Sequence, residues 1–143
     1  TEQRMAFLKA NPQISEHVSE NLTYAMLNEV IVSDTRFNIF KILCHVPLRQ
    51  VVKDTSLMSE QEIKYAANYS THLDFLIINR VSKQPILAIE TDGYSYHNSG
   101  TEQHQRDIMK DHILSSYGLA LLRLSTKGSC EREKVAEKLN QLI

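Results

Sequence analysis

The sequence predicts an α/β fold in which a central mixed β-sheet is flanked by helices. Residues 72–79 and 85–90 are two apolar, strand-like runs joined by the polar segment 80–84, which is the pattern of an antiparallel hairpin. Helical segments precede and follow this pair, so an α+β arrangement of the same elements stays open. At 143 residues the chain is long enough for a single domain with a buried core.

Two helices are predicted ahead of the first strand. The first lies within residues 1–11 and ends at Pro12, which disfavours helical backbone in the residue before it. The second begins at Ser15 or Ser19, either of which can cap it. It continues to about Val30, because apolar residues recur at helical spacing up to that point.

A strand and a capped helix come next along the chain. Residues 37–48 contain enough aromatic and β-branched side chains to predict a strand. Residues 56–68 predict a helix, since Ser59 is a suitable N-cap and Glu62 follows three residues later, as in a capping box.

The remaining segments complete the alternation of helix and strand. They are a loop at 93–100, a helix at 102–117, a strand at 119–124 and a closing amphipathic helix at 131–143. Ile108, Met109, Ile113 and Tyr117 form the predicted apolar face of the first of these two helices, and Gly118 ends it.

The composition is that of an ordinary globular domain, with 42% hydrophobic and 23% charged residues. A net charge of -1 gives no sign of a polyanion partner, although basic residues clustered on one face would not appear in this total. Cys44 and Cys130 belong to no metal-ligand pattern, so we expect free thiols in a reducing compartment.

The chain contains no recognisable membrane or export signal. No apolar run reaches membrane-spanning length, and the first residues lack the apolar core of a signal peptide. We therefore expect a cytoplasmic protein without a membrane partner. Residues 1–143 are expected to form a single domain, and the absence of Met at position 1 leaves open that this domain is a fragment of a larger protein.

Three carboxylates lie at the ends of the two clearest strands. Asp74 is surrounded in sequence by apolar residues, where a lone carboxylate is costly unless a cation or donors satisfy it. Glu90 ends the second strand, and Asp92 shares its face by the two-residue strand period. Such a group is suited to a hard divalent cation that promotes phosphodiester hydrolysis. The alternative is structural: Asp92 belongs to a turn with Gly93, and Asp74 is hydrogen-bonded at a strand edge.

Further candidate groups follow these carboxylates. His97 could accept a proton from an attacking water, because the pKa of a histidine lies near neutrality, although a loop histidine is also common at a surface. Arg106 and Lys110 could bind backbone phosphates, while Asp107 could orient His97 or Lys110. The alternative for this helix is a solvated charged face.

Together these motifs resemble the restriction-endonuclease-like superfamily, the PD-(D/E)xK nucleases. The likeness is to the branch of the very-short-patch repair and EDxHD endonucleases, and to nuclease-like domains at the carboxyl ends of some superfamily I helicases. It covers residues 71–124, about a third of the chain. The motifs that carry it are Asp74-Phe75, Glu90-Thr91-Asp92-Gly93, His97, Arg106-Asp107, Lys110 and the segment from Gly118 to Arg123.

The resemblance implies a role for each matching position. Asp74 resembles the central metal-binding aspartate, and Glu90 the second acidic residue, with the Thr91 carbonyl as a further ligand. Asp92 stands where the lysine of the superfamily motif is usual, which makes His97 the candidate for activating water.

The resemblance also implies roles outside the two strands. Asp107 resembles the final aspartate of EDxHD. The initial glutamate is assigned to Glu20, with Glu16 as the alternative. Phosphate contacts are assigned to Arg106, Lys110, Arg123 and Lys127.

The resulting expectation is a restriction-endonuclease-like domain that hydrolyses DNA phosphodiesters with Mg²⁺, for which Mn²⁺ could substitute. It would belong to a DNA repair, recombination or helicase-linked protein, with a helicase or other domain of the same longer chain as a possible partner. The alternative is a catalytically inactive nucleic-acid-binding module of the same fold. A protein-interaction domain that uses the acidic cluster for docking is a further alternative.

Overall fold

The structure, a computed structural model, describes residues 18–92, 102–125 and 130–143. The predicted helix within residues 1–11 and the predicted loop at 93–100 lie outside these ranges. The helices are α1 (Val18–Ser33), α2 (Leu48–Val51), α3 (Glu60–Ala67), α4 (Glu102–Ser116) and α5 (Glu131–Gln141). The strands are β1 (Phe40–Pro47), β2 (His72–Asn79), β3 (Pro85–Asp92) and β4 (Ala120–Ser125), and a 3-10 turn (Thr35–Ile39) precedes β1.

The four strands of the described residues form one mixed sheet in the order β1-β2-β3-β4. The β1–β2 and β2–β3 pairs are antiparallel, and β4 is parallel to β3. Helix α4 makes the connection that a parallel pair requires. The predicted α/β class with a central mixed sheet flanked by helices is therefore confirmed, as is the antiparallel hairpin.

Each face of the sheet is covered by helices. Side chains of α1 and α5 pack with alternate strand residues such as Phe75 and Ile89. The opposite face, which includes Leu76 and Ala88, packs with α2, α3 and α4. Because strand side chains alternate between faces, Asp74 shares the α4 face with Leu76, and Glu90 shares it with Ala88.

Two local predictions are corrected by the structure. Residues 35–39 form a 3-10 turn rather than the start of a strand, because the Asp34 side chain accepts the Arg36 N–H and caps the turn. After β1, the chain enters the short helix α2, which was not predicted from the sequence. Ile108 is 54% exposed, whereas Ile113 and Leu114 form the buried part of α4.

Candidate functional site

A cavity of about 410 Å³ opens at the end of the sheet where β2 begins and β3 ends. Its walls come from α1, α3, α4 and the strands between them. The residues singled out from the sequence that line it are Glu20, Asp74, Glu90, Thr91, Arg106, Asp107, Lys110 and Arg123. Candidates that are up to about a hundred positions apart in the sequence therefore lie around one cavity in the structure.

The register of the hairpin brings two of the carboxylates side by side. The pairing of Phe75 with Ile89 places Asp74 next to Glu90 on the adjoining strand. The Asp74 N–H donates to Glu90 Oε2 at 2.8 Å. In return, the Thr91 N–H and hydroxyl donate to Asp74 Oδ2 at 2.9 and 3.1 Å. These bonds fix both carboxylates. Thr91 contacts Asp74 through its backbone N–H and its hydroxyl.

Lys110 lies deep in this cavity rather than at its surface. Its ammonium forms an ion pair with Glu90 Oε1 and donates to the His72 carbonyl at 2.8 Å. The side chains of Lys110 and Glu90 are only 11% and 5% exposed. Burial raises the pKa of Glu90 to about 7, although the Lys110 ammonium acts in the opposite direction. The structure thus places Lys110 against a carboxylate, whereas the sequence had suggested a phosphate contact.

The ring of His72 lies beside Asp74. Its Nδ1 lies 2.9 Å from the Ser70 carbonyl, which can only accept, and its Nε2 lies 3.5 Å from Asp74 Oδ1. The hydrogen bond with Asp74 raises the pKa of His72. Burial raises the pKa of Asp74, but hydrogen bonds from His72 and Thr91 outweigh it and hold this pKa below its usual value.

Glu20 contacts the ring of His45, which lies against the ring of His72. Its Oε2 lies 3.2 Å from His45 Nε2, and the ring centroids of His45 and His72 are 5.2 Å apart. His45 has a φ of 51°, which is unusual for a residue other than glycine and often marks a functional region. Neither histidine was assigned a catalytic role from the sequence, although His72 lies two residues before Asp74 on the same strand.

The helix α4 also supplies Asp107 and Arg106. Asp107 Oδ1 accepts from Gln103 Nε2 at 3.0 Å and lies 3.7 Å from Arg123 Nη1. Arg123 Nη2 also donates to Asp111 Oδ1 at 2.7 Å. Arg106 is half-exposed at the rim and is paired with Glu102 at 3.3 Å. Asp107 therefore orients Arg123 rather than Lys110 in the described part of the chain.

Several candidates fall outside what the structure describes. His97, Lys127 and the alternative Glu16 lie in the ranges that it leaves out. Asp92 is described only by its backbone, which ends β3 and pairs with Ser125 of β4.

The carboxylates of the cavity could hold only a cation that needs few ligands from the protein. Among the described residues, no group of three or more His, Cys, Asp and Glu side chains is arranged to hold a metal. Mg²⁺, however, is often held by one or two carboxylates, with waters and substrate oxygens completing its shell. Asp74 and Glu90 are the two carboxylates that could serve in this way, and their hydrogen bonds preset their orientation. Both oxygens of Glu90 already accept, one from Lys110 and one from the Asp74 N–H.

Fold and site define an α/β domain with a carboxylate-lined cavity at one end of a mixed sheet. The chain belongs to a family described as a protein of unknown function, DUF2726, whose model matches residues 16–142. No curated protein and no solved structure matches the chain significantly. Within the described ranges, no helix is long and apolar enough to cross a membrane.

Proposed function

We propose that this domain hydrolyses phosphodiester bonds of DNA with Mg²⁺, for which Mn²⁺ can substitute. The observation that carries the proposal is the side-by-side placement of Asp74 and Glu90 in a cavity that also holds Lys110. We further propose that the domain acts within a DNA repair, recombination or helicase-linked protein.

The carboxylates have the role of holding the metal. A bound Mg²⁺ supplies Lewis-acid polarisation of a phosphoryl oxygen and stabilises the charge that develops on the leaving group. Asp74 and Glu90 would hold it, with the Thr91 carbonyl as the further ligand that the family resemblance suggests. The hydrogen bonds from Asp74 N–H and Thr91 N–H keep both carboxylates in position before the ligand arrives.

The cationic side chains have the role of holding the substrate. Lys110 donates to Glu90 and would also reach a phosphate oxygen beside it, since an ammonium has three donors. Arg106 is half-exposed at the rim and suits a backbone phosphate further along the strand. Arg123 is held by Asp111, which makes it a weaker candidate for this contact. Lys127 stays a sequence-based candidate.

Water activation is assigned to His97, with Asp92 adjusting the metal site. His72 is a positioning residue in this proposal, because its ring fixes Asp74. Glu20 would act through His45 and His72, not by direct contact with Asp74.

A catalytically inactive nucleic-acid-binding module is the second candidate function. The observation that favours it is the Glu90–Lys110 ion pair, which neutralises the buried carboxylate by means of the protein's own cation. Such a cavity would keep Arg106 at its rim, and this side chain would bind a phosphate without turnover.

Nicking of supercoiled plasmid in Mg²⁺ or Mn²⁺ tests the proposal. Asp74→Asn should lower the rate by at least about 100-fold, since a metal contributes several kcal/mol to stabilising the transition state. His97→Ala should lower it as well. Asp54→Asn makes the same substitution at an exposed carboxylate outside the cavity and should leave the rate unchanged.

Two outcomes would contradict the nuclease. Equal nicking by wild type and Asp74→Asn would assign the activity to a contaminant. No nicking by the folded wild-type protein with either metal would leave the binding module as the better candidate. Circular dichroism of each variant checks that the fold is intact.

A further inference from the structure

Tyr69 is an exposed aromatic residue whose two sequence neighbours line the cavity. It lies in the turn between α3 and β2 and is 84% exposed. Its neighbours Asn68 and Ser70 both line the cavity that contains Asp74 and Glu90. A single exposed aromatic residue is common on protein surfaces and has no meaning alone. For Tyr69, however, hydrogen bonds fix the turn that carries it, and Arg49 contacts its ring.

Hydrogen bonds hold the turn in one conformation. The Thr71 N–H donates to the Asn68 carbonyl at 3.1 Å and closes the turn. The Ser70 N–H and hydroxyl both donate to Asn68 Oδ1, at 2.9 and 2.8 Å, as in an Asx-turn. The Leu48 N–H donates to the Thr71 carbonyl at 3.0 Å, which ties the turn to α2. Tyr69 is therefore presented by a rigid support.

The guanidinium of Arg49 covers part of the Tyr69 ring. Arg49 Cζ lies 4.5 Å from the ring centroid, within the range of a cation–π contact. The Nη1 atom of Arg49 is buried and has no hydrogen-bond partner among the described residues. The aromatic face therefore compensates this charge, and the contact restrains the ring while most of its surface stays in solvent.

We propose that Tyr69, restrained by Arg49, is a stacking platform for an unpaired nucleobase of the DNA whose backbone enters the cavity. The inference rests on the proposed function and names its substrate class as single-stranded or locally unpaired DNA. A base within a duplex is already stacked on its neighbours, so a lone aromatic ring is matched to a base that has left the stack. Stacking on a ring with an adjoining arginine tolerates any base, because every base has a π-face.

The turn that carries Tyr69 is connected to the carboxylates by two contacts. The Ser70 carbonyl next to Tyr69 accepts from His72, and His72 faces Asp74. Because Asn68 and Ser70 line the cavity on either side of Tyr69, a short oligonucleotide is a suitable probe of both the ring and the cavity.

Fluorescence anisotropy in EDTA separates base stacking from phosphate binding. The two probes are a fluorescein-labelled thymidine 12-mer and an abasic 12-mer with the same number of phosphates. Wild type should bind the thymidine probe more tightly than the abasic one. Tyr69→Ala should weaken binding of the thymidine probe by roughly 5- to 100-fold, the range for one stacked base. It should leave binding of the abasic probe unchanged.

Two further variants control for the ring and for exposure. Tyr69→Phe keeps the ring and should retain the preference for the thymidine probe. Val81→Ala shortens a side chain that is 83% exposed in the turn at the opposite end of the hairpin, and should bind both probes as wild type does.

The inference is overturned if wild type binds neither probe, or if Tyr69→Ala keeps the wild-type ratio of affinities for the two probes. Because the assay contains no metal and needs no turnover, its result is independent of cleavage. Plasmid nicking without base-dependent binding would refute the platform alone. Base-dependent binding without nicking would refute the nuclease alone.

Discussion

Glu90 and Lys110 illustrate how one pair of residues can determine both the energetics and the chemistry of the cavity. Taking two charges out of water is costly, and their attraction only about compensates for that cost. Removing one partner leaves an uncompensated buried charge, which is a much larger penalty. The Asp74 N–H bond to Glu90 adds to the support of this carboxylate. The pair is therefore expected to be strongly coupled.

Lys110→Met should lower the free energy of unfolding at pH 8 by about 3–5 kcal/mol, because it leaves Glu90 buried without its cation. Glu90→Gln combined with Lys110→Met should recover most of this loss, since no charge then remains unpaired. Urea unfolding of wild type, both single variants and the double variant measures the coupling. Lys64→Met makes the same substitution on an exposed face of α3 and should change stability little. Additive effects of the two single substitutions would show that the pair is not coupled.

At the scale of elements, α3 shows how a local sequence signal becomes a stabilising contact network. Ser59 and Glu62 form the predicted capping box, in which each side chain accepts the backbone N–H of the other residue. Glu62 Oε2 also lies 2.6 Å from His112 Nδ1 on α4. The same glutamate thus caps one helix and joins it to the next, a second role that its spacing from Ser59 does not indicate.

Glu62→Gln should destabilise the protein by on the order of 1 kcal/mol at pH 7, since charged acceptors make the stronger hydrogen bonds. Burial raises the pKa of Glu62, but hydrogen bonds from Ser59 and His112 outweigh it and hold this pKa below the ordinary 4.5. A carboxyl with a lowered folded-state pKa stabilises the fold above its unfolded pKa, and this contribution is lost as pH falls through the folded value. The difference between variant and wild type should therefore be full above pH 4.5 and narrow in more acid solution.

Thermal or urea unfolding from pH 7 down to pH 3 measures this difference. Glu60→Gln removes the same charge from the same helical turn, at an exposed position outside the capping box, and is the matched control. A difference between wild type and Glu62→Gln that stays constant over the whole pH range would contradict the assigned role of the carboxylate.

Elements with a strong local signal were predictable, and elements set by neighbouring chain segments were not. The hairpin of β2 and β3 is predicted from its alternating apolar runs, and α3 from its cap. The 3-10 turn before β1 depends on the Asp34 side chain and on packing of Phe37 into the core. The aromatic and β-branched residues of that segment fit a strand equally well, so propensity alone misplaced its start.

At the scale of the whole molecule, the site depends on contacts between distant segments. Asp74 and Glu90 could be predicted to lie near each other, because their strands form a hairpin. Their direct pairing depends on a register shift between Ile77 and Ile78, which the sequence does not indicate. The approach of Lys110 to Glu90 depends on the docking of α4, and the Glu20–His45 contact on the docking of α1. No spacing in the sequence encodes either contact, which is why Lys110 was assigned to phosphate and His45 was overlooked.

A metal that binds the folded domain should raise its melting temperature, and this effect tests the cavity as a whole. A cation at 100 times its dissociation constant adds about 2.7 kcal/mol to the stability of the folded state. For a domain of this size, that corresponds to a rise of about 5–10 °C. Wild type should show such a rise in Mg²⁺ or Mn²⁺. Asp74→Asn should lose it, because one of the two carboxylates next to each other on β2 and β3 is neutralised.

Differential scanning fluorimetry over a range of metal concentrations measures the effect, with Asp54→Asn as a variant that should respond as wild type does. The result distinguishes a cavity in which Glu90 binds a cation from one in which Glu90 stays paired with Lys110. A rise that depends on Asp74 means that the cation competes successfully with Lys110 for Glu90, as a metal-dependent nuclease requires. The absence of any rise at millimolar metal would mean that the ion pair with Lys110 keeps Glu90 satisfied. The cavity would then serve to bind nucleic acid through Arg106 at its rim, without hydrolysing it.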